Sequence, residues 1–244
     1  PDRGQSDAIN KGWRKSTGEI LAWLNSDDLY LPNTINTTAE YFSKNPECLM
    51  IYGDCRIIDN KGDRIDILKN RPFNCYDLLF INYIPQPSLF VKNGFFKKVG
   101  YLDTTLHYIM DWDICLRAII RLRKDEIRYI PITLSCFRRH SDSKTESAPY
   151  KALPELKLIY QKLSTLPVSQ DCVWKDRKIY KYQLLQILAR RYYEQWDFQK
   201  ARKLYIQAFC YNPFFFIGLT YNILKTFLPK QLIKSYRVKN KHKI

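Results

Sequence analysis

The sequence predicts an α/β domain with a mainly parallel sheet, followed by an all-helical region. Three observations carry that reading. Short apolar runs alternate with helix-period segments through about residue 140. Beyond residue 154 the pattern is helical throughout. Charge divides at nearly the same place: residues 1–150 hold 21 Lys+Arg against 19 Asp+Glu, a net +2, whereas residues 151–244 hold 19 against 5, a net +14. The expected division is therefore a near-neutral domain over 1–150 and a basic extension over 151–244, with polar residues and two prolines between 147 and 154 at the boundary.

Composition narrows the class further. An apolar share of 45% and a charged share of 26% in 244 residues suffice for a buried core and argue against disorder. Only 8 Gly, 12 Pro and 7 Cys exclude collagen-like and disulfide-knot classes. No apolar run is long enough to predict a spanning helix. The cysteines at 48, 55, 75, 115, 136, 172 and 210 form no CxxC pair, which fits reduced thiols in a cytoplasmic protein. Because the sequence opens on Pro1, a start inside a longer protein is expected.

In chain order, residues 6–15 read as a helix with Ser6 or Asp7 as N-cap and Gly18 past its end. Residues 19–24 (EILAWL) are a short apolar run, as for a strand covered on both faces. Pro32 suits the first turn of a helix through about Ser43. A strand follows at 49–52, then a hairpin around Asn60, Lys61, Gly62 and Asp63. Residues 88–91 read as a strand. Residues 111–123 read as a helix whose apolar face carries Trp112, Cys115, Leu116, Ile119 and Ile120. Strands at 127–130 and 134–138 complete the domain. In the extension, Leu184, Leu185, Leu188 and Tyr192 form one stripe and Ala201, Leu204, Tyr205 and Ala208 another, linked through residues 194–197 as antiparallel helices. That pair resembles a single tetratricopeptide-type unit. From Phe214 an apolar segment gives way to Lys225, Lys230, Lys234, Arg237, Lys239, Lys241 and Lys243, with no acid among them.

Three segments carry candidate chemistry. Asn25-Ser26-Asp27-Asp28 places two carboxylates directly after a buried strand, at the edge where open α/β sheets bind ligands. Aspartate oxygens suit a hard divalent cation that bridges a diphosphate, although the same residues also make an ordinary helix cap. Asp111 and Asp113 open a helix, where the dipole favours ionised carboxylates and an ionised Asp can accept a proton. Arg138, Arg139, His140 and Lys144 would suit a phosphate, and neutral His140 could ligate a metal; a solvated basic loop is the plain alternative. His107 and His242 offer nothing distinctive.

The order of these motifs is more informative than any one of them. The chain reads DRGQSDAINKG, TGEI, LAWLNSDDLYLP, then QPS, VGYLD, MDWDICLR and RRHSDSKT. Over residues 1–147 this resembles the family 2 glycosyltransferases, inverting enzymes of the Rossmann-like GT-A fold that use nucleotide-sugar donors. The resemblance implies a divalent cation, Mg²⁺ or Mn²⁺, held by Asp27 with Asp28 and His140. It implies Asp111 as general base, with Met110 where an acid usually precedes it. Arg3, Asp7, Asn10, Asn25 and Asp27 fall on the donor side, and Asn25 stands where an Asp is more usual. Gln86, Ser88 and Trp112 fall on the sugar or acceptor side. The family's first strand, helix and second strand have no counterpart ahead of Asp2, so the domain is expected to be incomplete at its N-terminus.

The implied reaction is sugar transfer to a saccharide or lipid-linked acceptor, in cell-surface polysaccharide or glycolipid synthesis. The polybasic end suggests peripheral contact with an anionic membrane at the inner face of the plasma membrane. A non-catalytic interaction protein using the helix pair is one alternative. A nucleic-acid-binding protein, suggested by a pI near 9.5, is the other; no nucleic-acid-reading motif supports it.

Overall fold

The computed structural model describes residues 1–140, 143, 149–165, 178–211 and 222–227. Lys144, the 214–217 segment and the basic residues from Lys230 onward lie outside the described residues. The chain forms two compact units, Pro1–Lys175 and Asp176–Ile244.

The first unit is built on a six-stranded sheet. Its strands are β1 (Ile20–Leu21), β2 (Leu29–Tyr30), β3 (Met50–Ile58), β4 (Arg64–Leu68), β5 (Leu89–Lys92) and β6 (Ile127–Arg138). The order is β1-β5-β3-β6-β2, with β4 pairing β3 beyond the end of β5. The α/β class is as expected, but the pairing is not mainly parallel. Only β3 and β6 run parallel; β1–β5, β3–β5, β3–β4 and β2–β6 are antiparallel. A cause of one antiparallel pair is local: the Asp59 carboxylate accepts the N–H groups of Lys61 and Asp63, both at 2.9 Å, and turns β3 straight back into β4.

β3 and β6 form the spine, and β3 is buried along nearly its whole length. The expected pair of strands at 127–130 and 134–138 is one strand, with an irregular register opposite Gly53. Pro131 has no N–H to give a ladder, and an irregularity is where a strand tolerates it. Gly53 is fixed by close approach: a Cβ there would lie 2.5 Å from the Ile132 carbonyl oxygen.

Among the described residues of this unit, six α-helices accompany the sheet: α1 (Gln5–Lys15), α2 (Thr34–Lys44), α3 (Cys75–Phe80), α4 (Gly94–Val99), α5 (Met110–Arg121) and α6 (Leu153–Thr165). Phe42 of α2 joins Ile51, Phe90, Ile130 and Leu134 in one cluster. The apolar face expected for α5 is buried as read. Arg117 of α5 pairs with Asp113 at 2.7 Å and donates to the carbonyls of Val99 and Tyr101, which ties α5 to the turn after α4.

The break between units falls after Lys175 rather than near residue 150, because α6 packs with the first unit. Tyr160 donates its hydroxyl to the Leu79 carbonyl, Lys162 pairs with Asp103, and Glu155 reaches the loop before α5. In the second unit, α7 (Lys178–Glu194) and α8 (Phe198–Tyr211) form the expected helical hairpin. Its core is Tyr182, Leu185, Ala189 and Tyr193 against Ala201, Tyr205 and Ala208, so the buried stripe of α7 is rotated from the expected one. Ala189, Ala201 and Ala208 are fully buried and let the two backbones approach. Among the described residues no helix is long and apolar enough to cross a membrane.

Candidate functional site

The chain leaves β1 through Ala22 and Trp23 into a turn closed by the Asp28 N–H donating to the Asn25 carbonyl at 3.1 Å. This turn is bolted to the end of β6. The Arg138 N–H donates to Asp28 Oδ1 at 2.9 Å, and the Arg138 guanidinium donates to the carbonyls of Asp27 and Asp59. The consequence is a division of labour between neighbouring carboxylates. Asp28 is buried and faces inward, and burial raises its pKa despite those donors. Asp27 faces out, and its Oδ2 lies 3.0 Å from His140 Nε2.

Asn25 is the hub of the turn. Its Nδ2 donates to Asp28 Oδ2 at 3.1 Å and to Gln86 Oε1 at 3.0 Å, and its Oδ1 accepts from Gln5 Nε2 at 3.0 Å. Gln86 in turn donates to the Trp23 carbonyl at 2.6 Å. A carboxylate at position 25 has no N–H and could supply neither donor bond. This is a physical reason for Asn where the resemblance leads one to expect Asp.

Asp111 stands in the first turn of α5, and its Oδ2 accepts from Asn82 Nδ2 at 2.9 Å. Burial pushes its pKa above the ordinary carboxylate range; the neighbouring backbone N–H groups and Asn82 oppose the shift without cancelling it. Desolvation thus acts on Asp111 against the helix dipole and these donors, and the net shift is upward. The loop before α5 is held from outside. Glu155 accepts the N–H groups of His107, Tyr108 and Ile109 at 2.8, 2.9 and 3.2 Å, and no side chain of the loop itself caps the helix.

These pieces enclose one cavity of about 650 Å³. Asn25, Ser26, Asp27, Gln86, Asp111, Arg139 and His140 line it, with Trp23, Asn82, His107, Tyr108, Met110 and an apolar set that includes Ile57, Leu68 and Phe137. The acidic turn and the distant Asp111 therefore share a pocket. Several expected site residues do not reach it. Arg3 is on the surface beside Asp7, whose carboxyl is held below its usual range by the Arg3 N–H and the Lys11 ammonium. Asn10 exchanges hydrogen bonds with the Leu102 N–H and carbonyl, fastening α1. Ser88 is buried between the Asp54 carbonyl and Ser135 Oγ, and Trp112 is in the core with its N–H on the Leu78 carbonyl. Arg138 is consumed in holding the turn.

Sequence reading missed Asn82, Tyr108 and Glu155, and dismissed His107. None sits in a motif; Glu155 reaches its partners across 46 to 48 residues of chain.

A divalent cation fits part of the expected ligand set. Asp27 and His140 offer one oxygen and one nitrogen facing each other, a set that suits an ion completing its shell with diphosphate oxygens and water. Asp28 does not join them. Among the described residues, no group of three or more His, Cys, Asp or Glu side chains is placed to hold a metal.

Residues 1–97, which carry the acidic turn and Gln86, match the family model described as glycosyl transferase family 2. That stretch of the chain is similar to the family. The Rossmann-like GT-A fold of that family is in keeping with the mixed α/β unit seen here. An uncharacterized glycosyltransferase of Rickettsia typhi is 26% identical over 165 residues, covering 64% of this chain and 51% of the relative. One of Rickettsia conorii is 29% identical over 119 residues, covering 46% and 20%. A "PGL/p-HBAD biosynthesis glycosyltransferase" of Mycobacterium tuberculosis is 29% identical over 118 residues, covering 48% and 44%. The chain thus spans about half, or less, of the length of these curated relatives.

Proposed function

We propose that this chain is a family 2 glycosyltransferase that transfers a sugar from a nucleotide-sugar donor to an acceptor hydroxyl, with inversion at the anomeric carbon. The observation that carries the reading is the shared cavity of Asp27 and His140 with Asp111. Asp111 accepts the proton of the attacking hydroxyl, and a pKa raised by burial brings it nearer to that of a working base. Asn82 orients the carboxylate by donating to its Oδ2. Asp27 and His140 hold a divalent cation, Mg²⁺ or Mn²⁺, which when bound neutralises charge on the departing nucleoside diphosphate. Arg139, on the same wall, adds positive charge for that leaving group. Asn25 and Gln86 fix the turn and the wall between the two ends.

Saccharide or lipid-linked acceptors in cell-surface polysaccharide or glycolipid synthesis fit this chemistry. The name of the mycobacterial relative, a glycosyltransferase of PGL/p-HBAD biosynthesis, is consistent with a biosynthetic role. Peripheral contact of the basic C-terminal residues with an anionic membrane is part of the same proposal and rests on their charge.

A screen of nucleotide sugars with Mn²⁺ or Mg²⁺, read as acceptor-dependent release of nucleoside diphosphate, tests the activity. Asp111→Asn is expected to lose transfer while keeping donor binding. Near-normal turnover in that variant overturns the base assignment, and the absence of any donor turnover overturns the reading itself.

A further inference from the structure

The cavity has an apolar floor that sugar transfer as such does not require. Ile57 of β3 lies opposite Phe137 of β6, and Cys55 lies opposite Leu68 of β4. Residues 55 and 57 share one face of β3 because side chains alternate, so these four residues pave one patch of the sheet, and all four line the cavity. The Cys55 thiol accepts from Ser135 Oγ, and burial raises its pKa to about 11, so it presents no charge to the patch. Met110, next to the base, and Ile84, two residues after Asn82, add aliphatic surface to the same cavity. The patch is open at Leu68, which is 41% exposed on a strand that pairs only with β3.

From this geometry we infer that the acceptor is amphiphilic: it offers its hydroxyl at Asp111 and carries an alkyl aglycone that leaves over Ile57, Phe137 and Leu68. The inference rests on the transferase reading above and specifies its acceptor. A free saccharide displays hydroxyls around its edges that need hydrogen-bonding partners; Trp23 and Tyr108 could pack against a sugar ring elsewhere in the cavity, but Ile57, Phe137, Cys55 and Leu68 pave a patch with no strong donor for such hydroxyls. An alkyl chain loses nothing there and gains from each methylene removed from water. The exposed leucine has the place that a chain passing out of the cavity needs.

The test uses the intact protein, its preferred donor, and matched methyl and octyl glycosides of several common hexoses, each below the concentration at which the octyl compounds form micelles. Octyl acceptors are expected to show KM values at least tenfold lower than their methyl counterparts. Leu68→Asn, a change at an exposed position away from Asp111 and Asp27, is expected to raise KM about fivefold for octyl acceptors. Turnover with equal KM for methyl and octyl acceptors overturns the inference while the transferase reading stands. An octyl preference undiminished in Leu68→Asn overturns the assignment of the floor. Failure to turn over donor with any acceptor defeats the underlying reading, and the inference falls with it.

Discussion

Glu155 is the residue whose removal separates position from chemistry. Its carboxylate gathers three consecutive N–H groups, those of residues 107, 108 and 109, immediately ahead of the helix that carries Asp111. A hydrogen bond to a charged group contributes roughly 1.5–3 kcal/mol. Three that share one buried carboxylate, with water able to re-solvate part of the loop, amount to about 3 kcal/mol by the same scale. Glu155→Ala is therefore expected to lower Tm by roughly 6–12 °C, at about 2–4 °C per kcal/mol for a unit of this size. A loop freed to move by about 1 Å costs on the order of 10²-fold in turnover if Asp111 is the base. The donor end, held by the 25–28 turn and β6, does not depend on that loop, so KM for the donor should stay within about twofold by the same reasoning. Glu155→Gln keeps the shape but puts an amide N–H against a backbone N–H, and is expected to fall between the two. Steady-state kinetics with donor and acceptor varied separately, beside thermal melts, measure both effects. A variant that loses stability yet keeps kcat refutes the link between this clamp and the base.

The raised pKa of Asp111 gives opposite pH trends for activity and stability. Between its unfolded and folded values the folded chain holds a proton that the unfolded chain has released, so its contribution to stability falls as pH rises through that window. Asp111→Asn is accordingly expected to melt above the parent at neutral pH and to lose that advantage at acidic pH, whereas parental turnover rises with pH over the same interval. Asn25→Asp removes two donor bonds and sets a second charge beside Asp28, which should destabilise by about 2 kcal/mol and more at neutral than at acidic pH; a melt equal to the parent's contradicts the hub assignment. Gly53→Ala forces a Cβ against the Ile132 carbonyl and is expected to cost about 1–3 kcal/mol, visible as a lower urea midpoint. His140→Ala should weaken cation dependence, measured as a rise in the Mn²⁺ concentration for half-maximal turnover, and an unchanged value removes His140 from the ligand set.

Much of this arrangement is legible in the residues. The α1, α2 and α5 helices, the β3–β4 turn and the α7–α8 hairpin follow from local periodicity and turn chemistry, which act over a few residues. The acidic turn and Asp111 were legible as candidates because each follows a recognisable boundary, a strand end or a helix start. Other candidates do not line the cavity, and for a common reason. Ser88, Asn10 and Asp7 are polar residues in motif-like settings, yet their hydrogen-bonding capacity is spent on backbone or on neighbouring side chains inside the fold. Strand direction was likewise misjudged, since apolar runs record burial and not which neighbour a strand will pair with.

By itself, the sequence determined the α/β class, the basic character of the C-terminal part, and which carboxylates stand at element ends, because these follow from local pattern and charge. Only tertiary structure decided that Asp27 and not Asp28 faces the cavity, that Asp111 joins it there, and that Glu155 secures the loop between them. Each of those outcomes turns on where a backbone N–H from a remote segment comes to rest, the Arg138 N–H for Asp28 and the 107–109 amides for Glu155. Such pairings form across tens of residues once the sheet closes, and no local pattern encodes them.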